Sequence, residues 1–380
     1  MAGTASHHSL VTSLPLIAVD ALALGERSKG AARVLANLLA CFPAADPGLR
    51  FVALVTNEGA DRVRERAPEV GVIEVAPSSG REWERHGVAQ AAADADLLFT
   101  IREVVPRSGP PTLMHVFEPP SYRLRARGRL NATELKRLAK DALLTAGFPR
   151  SVRRAAAVTA GGQATSDWLQ RRTGRSAEVV LPGIDPVFFT DEAAPAVESP
   201  YVLHPSSADA RENTDLVLRA FATGRTAGLR LVLVGTPAHA QEQIRSRASE
   251  LGVEVELPGW VTDERLRELY RGAVAVVTPS RYEAYAGLPA LEAMALGTPV
   301  VALAAPGVTE ALEGRAVLIR SEDADVLADA IARVRDDAAL RADLSRLGSE
   351  HARTLTWEAS AAGFAAAFRR TLGLPPASAV

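Results

Sequence analysis

Short runs of consecutive apolar residues alternate with helically spaced stretches along most of this chain. LPLIAVD (14–20), FVALVT (51–56), DLLFT (96–100), TLMHVF (112–117), AAVTA (156–160) and EVVLPG (178–183) read as strands. Most are continuous rather than alternating, as parallel strands covered on both faces should be. Helical stretches such as AARVLANLLACF and GGQATSDWLQRRT lie between them. A segment rich in Ala, Pro and acid, TDEAAPAVESP (190–200), has no periodicity and reads as a linker. A second series follows. Its strands are YVLHP (201–205), LRLVLVG (229–235), VEVELPG, AVAVVTP (273–279), PVVAL (299–303) and AVLIR (316–320). Its helices are predicted at 214–223, 238–251, 263–270, 288–296, 323–335 and 337–349, before a final amphipathic helix at 356–372. This βα alternation predicts an α/β fold of two doubly wound, Rossmann-like domains facing a cleft, where strand C-termini converge on a ligand.

Length supports the same division, because 380 residues exceed what one core usually serves. The net charge of −2 gives no whole-chain argument for nucleic acid or membrane. A single cysteine, Cys41, excludes a disulfide framework and a cysteine-rich zinc site, and a reduced cytoplasmic setting is expected. The N-terminus lacks a basic lead and reads as a disordered start before the first strand, and no apolar run approaches the ~20 residues of a membrane span.

The densest chemistry lies in PSRYEAYAGLPALEAMALGTPVV (279–301). Pro289 suits the first turn of a helix, and Glu292 lies near its N-terminus, where the helix dipole favours a carboxylate. Dipole complementarity alone would account for Glu292, and a solvated loop charge would account for Glu283. The strand–loop–helix context points further. Free N–H groups at such a helix start receive phosphate, and a glutamate one turn in can accept hydrogen bonds from vicinal hydroxyls.

The stretch VTDERLRELYRGAVAVVTPSRYEAYAGLPALEAMALGTPVVA resembles the donor-site segment of the retaining, GT-B-fold glycosyltransferases of family 4 (glycosyl transferases group 1). AAVTAGGQATSDWLQRRTG…AEVVLPGIDPVFF, RENTDLVLRAF, SKGAARVLANLL and TWEASAAGF are similar to further segments of that family, so the resemblance covers nearly all of the chain from about residue 14. It implies an acceptor domain (1–192), a nucleotide-sugar donor domain (193–355) and a C-terminal helix (356–380) crossing back to the first. It also implies a UDP- or GDP-sugar as substrate, with no bound cofactor or metal. By the same resemblance Glu292 matches the ribose ligand, and Glu283 matches the acid that contacts the donor sugar. Gly287, Leu288 and Pro289 match the loop and helix start that offer N–H groups to phosphate. Gly30, beside Lys29, matches the first glycine of the loop that approaches the donor phosphate; Ala32 replaces the second. Arg33 follows, with a solvated helix face as its plain reading.

Two departures stand out. Eight residues, AYAGLPAL, separate the two acids where the family usually has seven, and Ala284 and Ala286 replace glycines. Glu283 is expected to reach a sugar if the extra residue bulges outward; otherwise the donor pocket has a different shape. The family's diphosphate-binding Arg and Lys positions read Ser206 and Glu212, and a glutamate there would repel a diphosphate. Arg211 and Arg281 are the candidate replacements, and a catalytically impaired binding or partner subunit is the alternative to a working transferase.

On the acceptor side, TLMHVFEPP carries His115 and Glu118 as candidate active-site residues. The family's second histidine position is Phe117, and His115 alone would equally suit a core. Residues 121–154 hold ten basic residues, among them Arg123, Arg125, Arg127, Arg129, Lys136, Arg137, Lys140 and Arg150, opposed by Glu134 and Asp141. A solvated helix face would explain them, as would an anionic acceptor or a peripheral membrane contact. Nucleic acid is not expected, because aromatic interleaving is thin.

Overall fold

The computed structural model describes residues 14–25, 29–77, 79–122, 132–190 and 199–377. Most of the predicted linker, and Arg123, Arg125, Arg127 and Arg129 of the basic segment, lie outside these residues.

The first sheet is built from β1 (Leu16–Asp20), β2 (Arg50–Val55), β3 (Gly71–Glu74), β4 (Leu97–Thr100), β5 (Thr112–Val116), β6 (Ala157–Ala160) and β7 (Glu178–Val179). Its helices are α1 (Lys29–Ala45), α2 (Asn57–Arg66), α3 (Gly80–Glu82), α4 (Val88–Ala91), α5 (Ala132–Arg154) and α6 (Gln163–Thr173). The second sheet contains β8 (Tyr201–Pro205), β9 (Arg230–Val234), β10 (Glu256–Gly259), β11 (Ala275–Thr278), β12 (Val300–Leu303) and β13 (Val317–Ile319). Around it lie α7 (Thr214–Ala222), α8 (Ala238–Glu250), α9 (Asp263–Gly272), α10 (Leu288–Ala295), α11 (Pro306–Leu312), α12 (Ala324–Asp336) and α13 (Ala338–Ala352), and α14 (Trp357–Thr371) ends the series.

Among the described residues the strand orders are β3-β2-β1-β4-β5-β6-β7 and β10-β9-β8-β11-β12-β13, with each recorded pairing parallel. Both orders reverse beside the first strand of their sheet. The crevices between β1 and β4 and between β8 and β11 are therefore where a ligand meets strand C-termini. The doubly wound expectation holds for both halves. Missed from the pattern were β3, α2, α3, α4 and α11. The reason is visible in β3, an edge strand with three of its four residues exposed and hence no continuous apolar run. Of the expected strand 178–183, only Glu178–Val179 pairs.

The chain returns from the second sheet to the first through α14. Phe364 and Phe368 enter the aromatic core of Phe42, Phe51 and Phe99, with the Phe99 and Phe364 rings 5.0 Å apart. Gly183 makes the crossing possible, because a Cβ there would collide with the Trp357 backbone. Ile184 N–H donates to Leu355 O at 3.0 Å and Ser360 Oγ to Leu181 O at 2.6 Å, fastening the crossing. Arg369 adds an ion pair to the buried Asp46, 2.9 Å between Nη2 and Oδ1.

Candidate active site

The switch point of the second sheet gathers most of the candidate residues. β11 ends at Thr278, and the loop that follows runs through Ser280, Arg281 and Glu283 to the start of α10. Gly287 precedes that helix with φ +81°, and Ala286 holds φ +58°, a left-handed conformation that costs a non-glycine residue about 1–2 kcal/mol. Neighbouring contacts enforce this conformation. A Cβ on Gly307 would strike the carbonyl oxygens of Glu283 and Ala284, and one on Gly287 would lie 2.9 Å from Glu283 Cδ. Only glycine lets the loop lie this close.

The extra residue of the loop does not bulge outward. Tyr285 and Ala286 turn into the core of the second domain, and Tyr285 Oη lies 3.2 Å from His351 Nε2. The physical reason is burial: an aromatic ring flanked by two alanines gains more from the core than from water. Glu283 consequently stays at the strand end. Its carboxylate pairs with Arg211 and hydrogen-bonds Ser280. Burial pushes it up to about 7, against the pull of Arg211 and reinforced by the charge of Glu118.

Glu292 lies one turn into α10, buried. It accepts hydrogen bonds from Tyr270 Oη at 3.0 Å and from Arg33 Nη1 at 3.0 Å. Burial raises its pKa, and Arg33 and Tyr270 oppose that rise. Arg33 is not on a solvated helix face. It reaches from α1 across the cleft to both Glu292 and Asp263, the latter 2.7 Å from Nη2. No local pattern could reveal this, because 230 and 259 residues of chain separate the partners.

Glu212 occupies its own loop. It completes a capping box with Asp209 and accepts from Ser207 N–H at 2.8 Å and Ser207 Oγ at 2.6 Å. The carboxylate is turned back on the backbone, which accounts for a glutamate at this position without a bare charge facing the cleft. Ser206 is buried, with Oγ 3.0 Å from Thr214 Oγ1. Arg281 donates to Ala210 O at 2.6 Å, Asn213 Oδ1 at 2.7 Å and Glu322 Oε2 at 2.8 Å, and its N–H donates to Arg211 O at 2.9 Å. These bonds make Arg281 a brace for the Arg211 loop rather than a group presented to a ligand.

Across the cleft, Glu118 follows β5 and is half-buried. Its charge acts on both Arg211 and Glu283. His115 lines a small cavity together with Glu118. Its ring is buried against Phe117 and Phe364, with Nδ1 3.0 Å from Thr159 Oγ1, and burial lowers its pKa to about 3. It is a neutral histidine because burial beside Phe364 of α14 disfavours the charged ring. Gly30, within the first turn of α1 rather than before it, is exposed, and a Cβ there would meet nothing within 4 Å. Leu288 packs against the first domain's core, and Pro289 takes the first turn of α10.

Further residues came to light only in the structure. Glu310 of α11 crosses to the start of α6, accepting from Gln163 N–H at 2.7 Å and Ala164 N–H at 2.9 Å. Tyr122 and Tyr282 face one another across the lobes, centroids 6.0 Å apart. At the first sheet's switch point, buried Asp20 accepts from Trp83 Nε1 and Thr100 Oγ1, both at 3.1 Å, and Arg102 Nε lies 3.3 Å away. A surface cavity of about 590 Å³ beside Pro200, Pro299, Arg335 and Arg341 lies at the opposite, N-terminal ends of the second sheet's strands, where this fold does not place its ligands. Among the described residues, no group of three or more His, Cys, Asp or Glu is arranged to hold a metal ion.

Two Rossmann-like sheets facing a cleft, bridged by a returning C-terminal helix, define a GT-B fold. The solved structures bear this out. Sucrose-phosphate synthase from Thermosynechococcus elongatus superposes with a TM-score of 0.75 at 20% identity, over 94% of this chain and 99% of that one. Anabaena HepE in complex with UDP and glucose does so with 0.69 at 18%, over 94% and 100%. Residues 189–351 match the family described as glycosyl transferases group 1. The chain has the GT-B fold, and the segment that matches that family holds the whole of its second sheet. Its relatives include D-inositol 3-phosphate glycosyltransferases. That of Acidothermus cellulolyticus is 36% identical over 172 residues, 42% of this chain and 38% of the relative. That of Mycobacteroides abscessus is 31% identical over 213 residues, 51% and 46%. The match with the first of these relatives spans about two fifths of their length.

Proposed function

We propose that the protein is a metal-independent, retaining glycosyltransferase that moves a sugar from a nucleoside diphosphate sugar to an acceptor hydroxyl. The observation that carries this reading is the placement of Glu283, Glu292 and the start of α10 together at the second sheet's switch point, with Arg211 beside Glu283. Glu292 would take the ribose hydroxyls, Glu283 the donor sugar, and Arg211 with the α10 N–H groups the diphosphate. Residues 193–355 then form the donor domain and residues 1–192 the acceptor domain, onto which residues 356–380 return. A UDP- or GDP-sugar suits the site, and a neighbour of the same fold is a UDP complex. In this reading no protein nucleophile acts. The acceptor attacks from the face the leaving phosphate departs, and that phosphate assists its deprotonation, so catalysis rests on positioning and electrostatic stabilisation. Glu118 lies where it would steer the acceptor hydroxyl. The impaired-subunit alternative rested on Ser206, Glu212 and the lengthened loop; the inward turn of the Glu212 carboxylate onto Ser207 speaks against the repulsion part of it.

The setting we propose is cytoplasmic and peripheral to a membrane. No described helix is long and apolar enough to cross one. α5 instead carries an outward stripe of Leu135, Ala139, Ala142, Leu143 and Ala146, with Leu135 65% and Leu143 67% exposed. Lys136, Lys140, Arg150 and Arg153 are exposed beside it. Apolar residues at that spacing with basic flanks suit the surface of an anionic bilayer.

Calorimetric titration with UDP, GDP and a panel of nucleotide sugars tests the donor reading. Saturable binding abolished in Glu292→Ala is expected, and donor hydrolysis without acceptor would name the sugar. Absence of binding to any nucleotide would overturn the reading.

A further inference from the structure

The donor site has too little positive charge of its own. A diphosphate diester brings two negative charges, and stabilising the charge that develops on it as the bond breaks requires fixed cations or dipoles. In the second domain Ser206 is committed to Thr214, Glu212 is an acid, and Arg281 is held by Ala210, Asn213 and Glu322. Arg211 supplies one charge and shares it with Glu283.

Arg33 brings a second charge to the same place from the other domain. Its guanidinium lies over the Phe188 ring at 5.4 Å, and its two terminal nitrogens hold Glu292 and Asp263. The side chain is 24% exposed, so it is largely withdrawn from water. Each oxygen of Glu292 already accepts one hydrogen bond, Oε1 from Arg33 and Oε2 from Tyr270. A ribose diol arriving at Glu292 therefore competes with the guanidinium for Oε1. A guanidinium that gives up Glu292 keeps Asp263, with Asp185 nearby, and has N–H donors to offer another anion. Along a nucleotide, the group next to the ribose is the diphosphate. Gly30, one turn earlier on α1, leaves open space beside its Cα for such a group.

We propose that Arg33 is a ligand of the donor diphosphate. Without donor it closes the two lobes by pairing with Glu292 and Asp263, and on donor binding it transfers from Glu292 to the phosphates. The planar fork of arginine can hold Asp263 and a phosphate oxygen together, which the single ammonium of a lysine does less well. This inference rests on the donor-site reading above and names the cation that reading lacks.

The test uses the full chain and paired probes, uridine with UDP and guanosine with GDP, titrated by calorimetry at fixed ionic strength. Arg33→Gln is expected to weaken diphosphate binding about tenfold or more, as loss of a charge-assisted hydrogen bond does, while the matching nucleoside binds equally well or more tightly. Asp263→Asn retains the guanidinium and loosens its resting partner, so diphosphate binding there should be unchanged or tighter. Wild-type binding of UDP or GDP that Glu292→Ala abolishes but Arg33→Gln leaves unchanged would overturn the assignment of Arg33 alone. Equal weakening of nucleoside and diphosphate in Arg33→Gln would reduce Arg33 to an interdomain tie and also overturn it. Failure of the wild type to bind any nucleotide would remove the donor reading and this inference with it.

Discussion

Arg211 and Glu283 close on each other at the mouth of the second sheet, with Glu118 approaching from the first domain. Two consequences of this pairing can be measured through pH. Burial raises the Glu283 carboxyl from 4.5 to about 7, so between those values the folded chain holds a proton that the unfolded chain releases. Its contribution to stability is full below pH 4.5 and is lost as pH rises through about 7. Denaturation of Glu283→Gln should therefore show a shallower fall in stability over this interval, by up to about 3 kcal/mol. Protonation of Glu283 also releases Arg211, so a nucleotide sugar with fixed diphosphate charge should bind several-fold more tightly near pH 6 than near pH 8. A Glu283→Gln variant with the same pH dependence as wild type would show that another group is responsible.

Gly307 touches no ligand in the proposed site, yet the acid loop depends on it. Gly307→Ala forces the carbonyls of Glu283 and Ala284 away. We expect a stability loss of about 1–3 kcal/mol from the strained packing and a clear loss of donor affinity, both read from one series of thermal shifts with and without nucleotide. A variant that is destabilised but binds donor normally would separate the loop's geometry from its function.

Glu310 ties the lobes by capping α6, whose own N-cap, Gly162, has no side chain to do so. Glu310→Ala should cost about 0.5–2 kcal/mol, the usual range for a lost cap, and should widen the unliganded molecule in small-angle scattering. Unchanged scattering would assign the contact to local stability only.

The return of α14 is an element of the first domain's core. Phe368→Ala empties a fully buried position between Phe42 and Phe99 and should cost about 3–5 kcal/mol. Chemical denaturation is the direct measurement, and a cost below 1 kcal/mol would mean that the helix docks loosely.

The exposed stripe of α5 makes a membrane prediction. The protein should sediment with vesicles rich in anionic lipid, less so with neutral ones, and Leu135→Ser with Leu143→Ser should reduce that binding several-fold without changing the melting temperature. Retention of binding by the double variant would place the contact elsewhere.

Much of this molecule was legible in one dimension because its signals are local. Continuous apolar runs marked the parallel strands, since such strands are buried on both faces. GLPALEAMA marked a helix start with a glutamate one turn in, and the amphipathic 356–372 segment marked the returning helix. Edge strand β3 escaped because exposure had erased its apolar run. The partners of His115 and Arg281 were not legible because they lie on distant elements, here α14 for the histidine and the Glu322 loop for the arginine.

The sequence by itself determined the elements, their order and the position of Glu292 on its helix, because hydrogen bonding and apolar periodicity act over a few residues. Only the tertiary structure decided that Tyr285 turns inward, that Glu212 folds back on its own loop, and that Arg33 crosses the cleft to Glu292. Those outcomes depend on which charges and surfaces meet when two distant halves of the chain close on each other.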